Sequence, residues 1–136
     1  FYYGPKRIDI WWRGMKNGGL MLLLAHLLTR NWEWGRTKVR VLRLLSDGNA
    51  QESAHHDLES LIHEARVEAE ARVVISDVPF PEVFEAESGR ADCVFLGFEI
   101  PEKGMEAGWH KMYESLMHAD RTTILVTSEG LEDLMA

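Results

Sequence analysis

Ile8-Asp-Ile-Trp-Trp-Arg-Gly-Met-Lys-Asn-Gly-Gly-Leu-Met-Leu-Leu-Leu-Ala-His-Leu-Leu28 is a strand, a turn and a helix written in succession. Ile8 to Trp12 is β-branched and aromatic, the composition that suits a pleated, buried surface. Arg13 to Gly19 is a polar turn containing Gly14, Gly18 and Gly19. From Leu20 to Leu28 every residue but His26 is apolar. Such a helix offers water no face, so Leu23 and Leu24 are expected to lie in an apolar layer against a sheet along with their neighbours. Strand, glycine turn and buried helix together form the first half of a βαβ unit. Trp11 and Trp12 are consecutive in the strand and therefore face opposite sides of the sheet. Both can be buried only if helices cover both faces.

The rest of the chain repeats the alternation. Lys38 to Leu45 reads as a second strand, followed by a turn at Ser46-Asp-Gly-Asn49 and a helix from about Gln51 to Glu70. That helix places Ala54, Leu58, Leu61, Ile62, Ala65 and Ala69 on one stripe. Arg72 to Ser76 is a third strand. Pro79 and Pro81 break the chain and leave Glu82 to Glu87 room for only a short helix. Asp92 to Phe98 is a fourth strand, Met105 to Ala119 a helix and Thr122 to Thr127 a fifth strand, with Ser128 as cap of a short last helix. No hairpin signal separates any pair of strands. The expected fold is α/β and doubly wound: a five-stranded parallel sheet in order 3-2-1-4-5 with helices on both faces.

Composition narrows the function classes. At 136 residues, with 46% hydrophobic and 27% charged residues, residues 1–136 read as a single globular domain. A net charge of −7 argues against nucleic acid as a partner. Cys93 stands alone, which excludes an internal disulfide framework and a cysteine-rich zinc site. The nine residues Leu20 to Leu28 are the one long apolar run. A membrane-spanning helix needs about 20 apolar residues, so nothing within this stretch is expected to span. A chain that starts at Phe1 is expected to be cut from something longer, and any membrane part would lie there.

Candidate sites were sought where such folds carry them, outside the carboxyl ends of the strands at the switch point between strands one and four. Arg13, Lys16, Asn17, Gly18 and Gly19 have the ingredients of an anion site at a helix start. Glycines that merely let a strand turn sharply explain the same run, and neither a P-loop nor a dinucleotide fingerprint is present. His55, Glu59 and His63 share a face of the second helix, but H-E-x-x-H is absent and a solvated polar face accounts for them. Ser46, Ser76 and Ser128 follow strands without a G-x-S-x-G setting. No catalytic set, metal site or cofactor site emerges. Trp32 and Trp34, in a connection, and Leu131, Leu134 and Met135, near the end, are the interface candidates.

Ile8-Asp9-Ile10-Trp11-Trp12 and Gly18-Gly19-Leu20 to Leu28 resemble the cytosolic C-terminal region of cation–chloride cotransporters. That family has an Ile-Asp-Val/Ile-aromatic-Trp strand, a polar turn ending Gly-Gly-Leu and a Leu-rich helix. Lys38-Val-Arg-Val41 is similar to its next strand. Arg90-Ala-Asp-Cys-Val-Phe-Leu96, Trp109 to Leu116 and Thr123-Ile-Leu-Val126 are similar to later elements. Lys16-Asn17 departs from the acidic residues vertebrate members carry before Gly-Gly. The long phosphorylatable insertion is missing, and the brevity resembles a prokaryotic relative.

The resemblance implies a universal-stress-protein-like fold and a non-enzymatic regulatory and dimerising domain on the cytoplasmic side of the cell membrane. Its partners would be a second copy and the membrane domain of the same polypeptide. The alternative is a free-standing universal-stress-type nucleotide-binding protein. Against ATP, Gly97 to Gly104 lacks the G-x-x-G phosphate loop, and Glu99 and Glu102 would repel phosphate.

Overall fold

The structure, a computed structural model, describes residues 6–12, 18–30, 36–97, 103–104, 106–117 and 122–126. The elements alternate: β1 (Arg7–Trp11), α1 (Gly18–Thr29), β2 (Lys38–Leu45), α2 (Gln51–Ala65), β3 (Glu70–Ile75), α3 (Phe80–Ser88), β4 (Cys93–Gly97), α4 (Glu106–Glu114) and β5 (Thr122–Val126). The sheet order is β3-β2-β1-β4-β5 with every pair parallel, as expected. The last helix expected from Ser128 onward lies outside the described residues.

The central strand separates two cores. Ile8 and Ile10 face α1 and α2, meeting Met21, Leu22, Ala25, Leu58 and Phe95. Trp11 faces the other way and packs with Leu42, Val83, Phe84, Leu96 and Leu116 under α3 and α4. Trp12 packs against the first core. The two tryptophans thus do lie on opposite faces, both covered, as their adjacency in a strand requires.

Three boundaries differ from the sequence reading, each for a local reason. The second helix stops at Ala65, because Arg66 adopts the left-handed conformation (φ 57°) and its N–H caps the His63 carbonyl at 3.1 Å. Ala69, which continues the apolar stripe, packs on the first core together with Val67 from the connection instead, and β3 begins at Glu70. The prolines begin α3 rather than interrupt it. Pro79 is the N-cap and Pro81 lies in the first turn, where a missing N–H costs nothing. Finally, α4 ends at Glu114, and a turn carries Leu116 back into the second core.

The wholly buried α1 of the sequence reading is corrected. Met21, Leu22 and Ala25 are buried, but Leu23 and Leu27 are 44% and 57% exposed. A helix lying on one face of a sheet, with α2 at its side, is covered over only part of its circumference, however apolar it is. Leu22→Asp should therefore unfold the chain, since an unpaired carboxylate in the core costs several kcal/mol, whereas Leu23→Asp should change stability by less than about 1 kcal/mol. Urea denaturation of both variants measures the contrast.

Candidate functional site

Among the described residues, the one wholly buried charge is on the central strand. Asp9 is 0% exposed, and the sheet register sets Arg40 of β2 directly beside it. Arg40 grips it with two bonds, Nε to Oδ1 at 2.9 Å and Nη2 to Oδ2 at 2.8 Å. Arg7 Nε lies 3.3 Å from Oδ1. On the α3 side, Ser88 Oγ donates to Oδ2 at 2.7 Å and accepts from Trp11 Nε1 at 2.9 Å. Arg7 and Arg40 each send an Nη2 to the Glu87 carbonyl, at 3.0 and 2.9 Å, which places two cations at the negative end of α3. Arg72 pairs with the Glu87 side chain. Donating hydrogen bonds to Asp9 raises the Arg40 pKa above its usual value despite the opposing effect of burial.

This arrangement binds α3 to the sheet. Both Asp9 oxygens accept from side-chain donors and are sealed from water, so the carboxylate is turned inward, out of reach of a substrate. Its chemistry is that of an anchor. Sequence reading quoted Asp9 and Arg40 only as parts of matching motifs and missed the cluster. The signal was present: an aspartate between two isoleucines in a central strand demands a cation in register.

At the carboxyl ends of the strands, Trp11, Trp12, Arg43, Leu44 and Phe80 line a cavity of about 310 Å³. The Arg43 guanidinium stands 5.9 Å from the Trp12 ring centroid, in cation–π range. Phe80 meets Trp11 edge-on with centroids 5.3 Å apart. Gly18 is held to glycine by packing: a Cβ there would come within 2.8 Å of Trp12 Nε1 and 3.0 Å of Leu61. Gly19 has open space around its Cβ direction. Arg13, Lys16 and Asn17, the charged and amide part of the anion-site candidate, lie outside the described residues. So do Glu99 and Glu102 of the facing loop, and the interface candidates Trp32, Trp34, Leu131, Leu134 and Met135.

Elsewhere, His55 Nδ1 pairs with Glu59 at 2.7 Å, both well exposed. Among the described residues no three of His, Cys, Asp and Glu are grouped to hold a metal ion. Cys93 is buried against the first core, and desolvation pushes its thiol up to about 11. A thiol that rarely ionises is a poor nucleophile.

Residues 3–88, running from the entry to β1 through the last residue of α3, match the model of Solute carrier family 12. The chain belongs to that family. Solute carrier family 12 member 3 of Pseudopleuronectes americanus is 37% identical over 78 residues, covering 57% of this chain and 7% of the relative. A bumetanide-sensitive sodium-(potassium)-chloride cotransporter of Manduca sexta is 24% identical over 106 residues, 68% of this chain and 10% of the relative. The chain therefore spans a tenth or less of the length of these family members.

In fold, the chain resembles a universal stress protein from Burkholderia pseudomallei, with TM-score 0.60, 14% identity and coverage of 89% of this chain and 95% of the other. A universal stress protein solved in complex with cAMP gives 0.63, 10%, 90% and 96%. At these identities the likeness is one of fold. No helix among the described residues is long and apolar enough to cross a membrane.

The family match contains every member of the Asp9 cluster. Asp9→Ala leaves Arg40, and in part Arg7, buried without its counter-ion, and should cost about 3–5 kcal/mol. Ser88→Ala, which strips a partner from both Asp9 and Trp11, should cost about 1–3 kcal/mol. Replacing Asp9 and Arg40 together by apolar residues should cost less than Asp9→Ala alone. Chemical denaturation of the three variants checks the order.

Proposed function

We propose that this chain is a non-enzymatic cytosolic regulatory domain of a cation–chloride cotransporter, moving chloride with sodium or potassium through a separate membrane domain. On this reading it is a C-terminal appendage that acts by pairing with a second copy and by contact with the membrane part of its own polypeptide. The match of residues 3–88 to Solute carrier family 12 carries this reading, and the two cotransporters named above are in line with it. The interior supports it too, since its buried carboxylate is turned inward and its cysteine is poorly ionisable.

A domain without chemistry acts by contact, and a two-fold pair is the commonest arrangement. Sedimentation equilibrium of the chain, from micromolar to near-millimolar concentration, should show at least a weak dimer. The apolar residues near the end are the favoured contact, so a Leu131→Asp, Leu134→Asp variant should weaken the dimer and keep its melting behaviour. A parent that stays monomeric throughout would remove self-association from the proposal and leave contact with the membrane part.

A second reading, a universal-stress-type nucleotide-binding protein, is favoured by one observation. The cavity beside Trp12 and Arg43 sits at the strand ends where such folds bind ligands. Millimolar Mg-ATP should nevertheless leave the melting temperature unchanged. A ligand present at 100 times its dissociation constant would add about 2.7 kcal/mol, a shift of several degrees. Such a shift, reproduced with ADP, would decide for the second reading.

A further inference from the structure

β3 ends the sheet on one side, and no strand among the described residues lies beyond it. In a parallel sheet the N–H and C=O of one residue point to the same neighbour, and successive residues alternate. Ser76 N–H donates to the Leu45 carbonyl at 2.9 Å. Counting back by two, Val74, Arg72 and Glu70 also direct their backbone toward β2. Ala71, Val73 and Ile75 direct theirs outward, each with a donor and an acceptor at the open edge.

The space along that edge is shaped and charged. Clefts of about 690 and 570 Å³ lie between the flank of α2 and β3. Glu52, Glu59 and Glu70 supply carboxylates to their walls, Glu59 beside His55 and Glu70 beside Lys38, both at the exposed surface. Of the cations there, Arg72 is taken up by Glu87, and Arg66 stands just before the strand begins. At the far end, Ile75 and Val78 are 41% and 43% exposed. The edge thus offers main-chain bonds, a flank carrying three carboxylates and an apolar terminus.

We infer that the β3 edge receives an extended peptide segment with basic side chains at alternate positions, added as a sixth strand. Its backbone bonds to Ala71, Val73 and Ile75, its cations face Glu52 and Glu59, and an apolar residue covers Ile75. A second copy of this chain suits the edge less. Antiparallel pairing of two β3 strands would set two α2 flanks, each carrying Glu52 and Glu59, against one another in a molecule of net charge −7. The site does not depend on the transporter reading, because it rests on the edge and its charge alone.

The test uses the 136-residue chain and two synthetic peptides, one alternating lysine with valine and threonine, the other with glutamate in place of lysine. The lysine peptide should bind and slow amide exchange at Ala71, Val73 and Ile75, as read by NMR. Glu52→Lys with Glu59→Lys should weaken it by about tenfold, the effect of two lost and reversed charge pairs. Val73→Pro should abolish binding without breaking a bond to β2, since its N–H points away from that strand, and should lower the melting temperature only by what the Val73 side chain contributes to the first core. Should that variant not fold, exchange in the parent and the charge reversal still decide. No binding, equal binding of both peptides, or protection confined to other amides would overturn the inference. Protection of the three edge amides in the free chain at high concentration would also overturn it, making a second copy the occupant.

Discussion

Burying Asp9 is the constraint that the rest of this structure answers to. An ionised carboxylate in an apolar sheet is affordable only when donors replace water at every lone pair. The donors come from two elements, Arg40 on β2 and Ser88 at the end of α3, and Arg7 on the same strand adds its charge at 3.3 Å. Each donor is itself held by a further partner. The Glu87 carbonyl receives both arginines, and Trp11 donates to Ser88. The register of β1 against β2, the seating of α3 and the orientation of the Trp11 ring are therefore fixed together. A slip of one residue would turn Asp9 to the opposite, fully apolar face.

The same cluster bears on what the domain does. Its polar groups are spent on one another, and the ring of Trp11, Phe80 and Phe84 closes beside them. What remains available to partners is the exterior: the half-covered leucines of α1, the strand-end cavity and the open edge of β3.

The layout of strands and helices was legible because each strand is short, apolar and bounded by turn residues, and because Trp11-Trp12 requires two covered faces. Boundaries were less so. Arg66 takes a left-handed cap that a glycine or asparagine would have announced, while Ala69 keeps helical spacing although it lies outside any helix. Pro81 was read as a break because its position in the first turn depends on where α3 begins. The exposure of Leu23 and Leu27 depends on how far α2 and the sheet reach around α1, which no local pattern records. Of the site candidates, Gly18 proved to answer to the Trp12 ring, a contact that depends on how the chain returns from the turn.

The order of the strands also sets a timetable. β1 is central but is synthesised first, and its neighbour β4 and the Ser88 hydroxyl arrive much later; Ser88 and Asp9 are 79 residues apart. At about 5–20 residues per second, the ribosome leaves one side of β1 without its permanent neighbour for several seconds. In that interval β1, β2 and β3 can pair while the Ile8 to Trp11 edge stays open, a sticky template for other nascent chains. Asp9 sits in the middle of that template, within reach of Arg40 once β2 pairs but without Ser88. The residue that ties the finished domain together is thus the one that waits longest for its last partner.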